Sequence, residues 1–100
     1  MSDTPAVLIG RRVGLVDQID RPGDYCGPVR GFTGAYLSVF YRLPNVVNDS
    51  PEDHRRVHYV TSPPHVFREC ADGSLEVRNS IGAFPYWHGW LDEGHKWRDA

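Results

Sequence analysis

Five histidines and two cysteines are the residues best suited by type to metal or nucleophilic chemistry. His54 and His58 stand four apart, the spacing of one helix face, and His65, His88, His95, Cys26 and Cys70 are further ligand types. The chain has no His-Glu-x-x-His, no Cys-x-x-Cys and no compact Cys/His cluster, so neither a metal site nor a cofactor is expected. Ser38, Ser62, Ser80 and Cys70 are nucleophiles by type only, because Gly-x-Ser-x-Gly is absent. Asp92-Glu93 and Asp49/Glu52/Asp53 group carboxylates, but in polar turns where solvated charge is the default. Gly23, Gly27, Gly31 and Gly34 recur without the strand-then-helix frame of a phosphate loop. No catalytic residue emerges.

Aromatic side chains offer a different chemistry. Tyr86, Trp87, Trp90 and Trp97 fall close together near the C-terminus, interleaved with His88 and His95. Trp and Tyr are common anchors of protein interfaces. The competing reading is that the same rings close the core of a small β-domain, with each indole N–H finding a local acceptor.

The elements that must position these groups read as strands. A chain of 100 residues makes one domain, 1–100, and 40% apolar with 24% charged residues supports a folded core. Ten glycines and eight prolines disfavour long helices. Residues 6–9 and 12–16 are short β-branched runs, and 20–28 reads as turn chemistry, persisting to about Ala35. Tyr36–Leu43 is the clearest strand. Leu37, Val39, Tyr41 and Leu43 share one face, and Tyr36, Ser38, Phe40 and Arg42 share the other, so bulk on both sides suggests a strand covered twice. Ser50 before Pro51, with Asp53 beyond, has the form of an N-cap for a single helical turn near 51–56.

Asp72-Gly73 marks a hairpin whose register can be argued. A two-residue loop would set Glu69 against Glu76 and Phe67 against Arg78. A three-residue loop, 71–73, with Gly73 left-handed, sets Arg68 against Glu76 and Phe67 against Val77, and is preferred. That register puts Phe67, Leu75 and Val77 on the core face, and Arg68, Cys70, Glu76 and Arg78 on the other. Residues 82–85 read as a connection. In Tyr86–Leu91, Tyr86, His88 and Trp90 alternate with Trp87, Gly89 and Leu91, and Gly89 inside a strand signals a bulge or a closely approaching backbone. A short last strand begins near His95. The expected fold is mainly β, five to seven short strands in a compact antiparallel barrel or two-layer roll.

From Pro63-Pro-His through the Asp-Gly hairpin to Asn79-Ser-Ile, and again at Tyr86-Trp-His-Gly-Trp-Leu, the chain resembles a family of small uncharacterised proteins of actinobacterial phages and prophages. Phe40-Tyr-Arg-Leu-Pro resembles that family's strand end, and the likeness spans about residues 36–97. It implies a phage gene product acting in the host cytoplasm and draws attention to His65, Ser80, His88, Gly89 and Trp90. It imports no activity.

A net charge of -2 without a basic stripe argues against nucleic acid. No apolar stretch is long enough to span a bilayer, and Met1-Ser-Asp-Thr-Pro does not open an export signal. Cys26 and Cys70 are expected as free thiols. The expectation is a non-enzymatic accessory protein that binds a host or phage protein through His65, Tyr86, Trp87, His88, Trp90 and Trp97. The alternatives are a small-molecule-binding or hydrolytic pocket around His65 and His88, joined by Cys70 or His95, and a virion or assembly component. A homo-oligomer is left open.

Overall fold

A computed structural model describes residues 7–31, 34, 36–45 and 51–100, with Val7 described by its backbone alone. The fold is mainly β, as the alternation predicts. The strands are β1 (Val7–Ile9), β2 (Arg11–Arg12), β3 (Asp24–Arg30), β4 (Leu37–Arg42), β5 (Val57–Ser62), β6 (Val66–Glu69), β7 (Leu75–Ala83), β8 (Trp87–Asp92) and β9 (Lys96–Asp99). One helical turn, α1 (Glu52–Arg55), and one 3-10 turn, Val16–Gln18, complete the described elements. Two sheets form, in the orders β1-β9-β8-β7-β6 and β2-β3-β4-β5. Among the described strands only β2 and β3 pair in parallel. The sheets stack as a sandwich; they do not close into a barrel, and the strands outnumber the expected seven.

The 67–77 hairpin has the register argued above, Phe67 opposite Val77 and Arg68 opposite Glu76. Gly73 takes a positive φ of 88°, and the Cys70 amide donates to the Ser74 carbonyl, closing the three-residue loop. Leu75 and Val77 are buried and Phe67 packs on the core.

Residues 24–30, expected as a turn, are a strand. Gly27 takes a φ of 130°, and the register with β4 shifts between Cys26 and Val29, so a bulge absorbs Gly27 and Pro28. Residues 82–83 likewise extend β7 instead of leaving it. Pro51, not Ser50, holds the N-cap position of α1, without a side-chain cap, and Ser50 lies outside the described residues. The strand at 37–42 has one face in the core, and on the other face Arg42 alone is buried. Val39, Tyr41 and Leu43 are buried between the sheets, whereas Phe40 and Ser38 line an open groove on the other face.

Trp97 is the centre of the core. Its ring lies 5.4 Å from that of Tyr41, 5.5 Å from Trp87 and 6.1 Å from Tyr25, the last two edge-on. Its indole N–H donates to the Gly23 carbonyl at 2.7 Å, which ties β9 to the turn before β3. Tyr25 adds a second tie across the sheets. Its hydroxyl accepts the Leu75 amide at 3.2 Å and shares a hydrogen bond with His95 Nδ1 at 2.6 Å. Arg12 makes a third, from the four-stranded sheet to Glu69 and to the Gly73 carbonyl.

Candidate binding surface

The residues proposed from sequence separate into three environments. Trp87 and Trp97 are core, 6% and 1% exposed, and so cannot contact a partner. Alternation says which rings share a face but not which face is inside. Packing at Gly89 decides it. A Cβ there would stand 2.1 Å from the Arg98 carbonyl oxygen and 2.4 Å from the Trp87 ring. The close backbone approach expected at this glycine therefore comes from β9, and the Trp87/Gly89/Leu91 face is the one sealed against the core.

Tyr86 and His65 are joints. Tyr86 sits in the turn before β8, with its ring 4.3 Å from His54 and 6.4 Å from His58. Asn45 Nδ2 donates to its carbonyl at 3.0 Å. These contacts fasten the β7–β8 turn to the start of β5. Burial lowers the pKa of His58, helped by Arg56 and His54, so its ring favours the neutral form. His65 Nε2 donates to the Ser80 carbonyl at 2.9 Å, and Asn79, at a φ of 72°, donates from its amide to the Pro64 carbonyl at 3.4 Å. The Pro-Pro-His and Asn-Ser segments thus lock onto each other where the β7–β8 register shifts between Val77 and Ile81.

His88 and Trp90 face outward. The His88 ring lies 5.2 Å from Phe84 and 6.1 Å from Trp90. The Arg98 guanidinium stacks 4.3 Å from the Trp90 centroid, held by Asp92 at 2.9 Å. Phe84 extends the row. It is 74% exposed, and a Cβ on Gly82 would lie 2.6 Å from its ring, so the ring rests across that glycine. Gly82 is also the cross-strand partner of His88, which explains how the two rings meet. Sequence reasoning missed Phe84 by leaving it in a connection. The available signal was Gly82 two residues earlier on the same side of the chain.

A second apolar surface lies on the outside of the other sheet. An open groove of about 700 Å³ is lined by Val16, Val29, Phe40, Tyr59, Ser38 and Arg30 among others. Tyr59 is 65% exposed, and its ring lies 6.1 Å from that of Phe40. Neither this groove nor the smaller hollow at Arg56–Tyr59 is lined by His65 or His88.

Several polar groups pair with one another, whereas Arg42 Nε, His58 Nε2 and His65 Nδ1 are buried without a hydrogen-bond partner. Arg68 binds Glu76 at 3.0 Å and reaches Glu93 at 3.5 Å. Asp24, fully buried, accepts from Arg11 and from the amides of Asp20 and Arg21. Burial pushes its carboxyl up, but the Arg11 guanidinium and the two amides outweigh that, and the net pKa is lowered. Cys26 and Cys70 are buried free thiols, and burial raises the pKa of Cys26. Among the described residues no group of three or more His, Cys, Asp or Glu is placed to hold a metal ion. No helix among them is long and apolar enough to cross a membrane. Comparison of the chain with known protein-family models, curated proteins and solved structures finds no match.

Proposed function

We propose that this chain is a non-enzymatic binding protein that engages another protein through the Phe84–His88–Trp90 row. The observation that carries this reading is Phe84, a ring 74% exposed yet seated over Gly82 and against His88. An apolar ring kept in water forgoes about 2 kcal/mol of burial that a partner could recover. A ring already held in place also loses little conformational freedom on binding. Trp90, stiffened by Arg98, supplies the neighbouring anchor. The resemblance to actinobacterial phage proteins makes the partner a host or phage protein and the setting the host cytoplasm. The expected anchors are accordingly Phe84, His88 and Trp90, with Tyr86, Trp87, Trp97 and His65 as their support.

The test is affinity capture from an actinobacterial lysate with the native chain, Phe84→Ala and Trp90→Ala, each checked for fold by near-ultraviolet circular dichroism. One protein captured by the native chain and at least tenfold less by both folded variants supports the reading. Capture indifferent to both substitutions overturns it.

A further inference from the structure

The outer edge of β5 is a pairing surface of a different kind from the aromatic row. Among the described strands β5 ends the sheet order β2-β3-β4-β5, and it runs six residues in unbroken register with β4. The other sheet ends are shorter, with three residues in β1, two in β2 and four in β6. Exposed edges are normally blunted by charge, proline or a bulge. Val57-His-Tyr-Val-Thr-Ser62 has no Lys, Arg, Asp, Glu, Pro or Gly, and its register shows no bulge.

Backbone directions along this edge follow from hydrogen bonds elsewhere. The Tyr36 carbonyl accepts the Gly31 amide at 3.0 Å and the Arg42 carbonyl accepts the Gly23 amide at 3.1 Å. Even-numbered residues of β4 therefore turn their backbone groups to β3, and odd-numbered ones turn theirs to β5. The partners of Leu37, Val39 and Tyr41 are Ser62, Val60 and His58, so these three point inward. Val57, Tyr59 and Thr61 point outward. The Thr61 carbonyl agrees, since it accepts the His65 amide at 3.0 Å, away from β4.

We propose that two copies of this chain associate by antiparallel pairing of β5 with β5′ about a two-fold axis at Tyr59, joining two four-stranded sheets into one of eight strands. With the axis there, Tyr59 and its copy exchange both N–H···O bonds, and each Thr61 amide donates to the Val57 carbonyl opposite. These four bonds avoid the Thr61 carbonyl already taken by His65, which only the Val57 amide at the rim faces. Moving the axis to Val60 would aim the central Tyr59 amides at that carbonyl and would draw its outer pair from Pro63, which lies beyond the end of β5 and has no N–H. The strand is thus its own best complement, and Pro63-Pro64 stops the donors where its complement ends.

Charge agrees with this register. Arg56 falls opposite Ser62 of the second copy, and the two Arg56 residues stand at opposite ends of a paired ribbon roughly 20 Å long. No like charges face one another across the strands. The Tyr59 rings, 65% exposed in the single chain, flank each other at the axis, and the two Phe40–Tyr59 grooves run together. An edge contact of this size belongs to the weak end of specific interfaces, below about 1,200 Å², so the dimer is reversible.

The experiment is sedimentation equilibrium on the full chain from about 10 μM to about 1 mM, a range chosen for a weak interface. The native chain is expected to pass from monomer to dimer. Tyr59→Lys and Tyr59→Glu should each weaken the dimer at least tenfold, and an equimolar mixture of the two should regain it as a heterodimer, because position 59 meets its own copy. Tyr59→Pro deletes the central outward donor without touching the ladder to β4 and should also give monomers. A native chain that stays monomeric, a dimer insensitive to Tyr59→Lys, or a Lys/Glu mixture that does not recombine would each overturn the proposal.

Discussion

Replacing Trp97 by Phe tests the assignment of this ring to the core instead of the contact surface. The substitution keeps an aromatic ring among Tyr25, Tyr41 and Trp87 but removes the indole N–H that reaches the Gly23 carbonyl at 2.7 Å. Water cannot take over that bond. A Cβ on Gly10 would lie 2.2 Å from the Gly23 oxygen and 2.6 Å from Trp97 Nε1, so Gly10 already fills the space beside them. Stranding a buried carbonyl costs about 1–2 kcal/mol. The two lost ring carbons add about 0.8 kcal/mol each. The sum, about 3 kcal/mol, is a large share of the roughly 5–15 kcal/mol that holds a small domain together. In urea, with a slope of about 2 kcal/mol/M, the midpoint should fall by about 1.5 M. Trp90→Phe, on the outer face under Arg98, should lose less than about 1 kcal/mol. The reasoning fails if Trp97→Phe shifts the midpoint no more than Trp90→Phe does.

Two further outcomes follow from the geometry. Gly89→Ala should destabilise the fold by about 1–3 kcal/mol or more, because its methyl would collide with the Arg98 carbonyl and the Trp87 ring, and tryptophan fluorescence during urea unfolding measures it; an unchanged midpoint would show that β8 and β9 can separate freely. Stability should decline as pH falls below 6.5, since the lowered pKa of His58 leaves the unfolded chain binding more protons over that window. His58→Phe should flatten this part of the profile while leaving the separate loss below pH 3.8, where Asp24 becomes protonated. Equal slopes for the native chain and His58→Phe between about pH 5 and pH 6.5 would rule out the His58 contribution.

Local chemistry made some elements legible. The hairpin register followed from one left-handed glycine and one Arg–Glu pair, both decided within a dozen residues of chain. The alternation at 87–92 likewise placed His88 and Trp90 together. Residues 24–30 were misread because Gly27 and Pro28 carry turn chemistry wherever they occur, and only pairing with β4 turns them into a bulge. A Cβ on Gly27 would stand 2.6 Å from the Ser38 carbonyl, a constraint set by a partner strand. The contact residues suffered from the same limit. Periodicity grouped Trp87 with Leu91 and Trp90 with His88, but the inward face was chosen by the second sheet, and Trp97 was claimed by Tyr25, Tyr41 and Gly23. Phe84 was passed over because its position depends on the floor that Gly82 provides.

The inward and outward rings divide two tasks between the sheets. Tyr25, Tyr41, Trp87 and Trp97 fill the space between them, so substitution there reports on stability. Phe84, His88 and Trp90 lie outside the five-stranded sheet, whereas Tyr59 and the β5 edge belong to the four-stranded one. Pairing at β5 would therefore leave the Phe84 row of each copy uncovered and give one assembly two equivalent binding rows. A partner that is itself repeated would then be held by both rows at once, and the second contact would form at the effective concentration set by the first. Weak pairing at β5 suits that arrangement, because the dimer would be reinforced on a repeated target and fall apart in dilute solution. Tyr59→Lys separates the two effects: it should leave capture of a monomeric partner unchanged and reduce capture of a repeated one, and equal loss on both would place Tyr59 within the partner-binding surface itself.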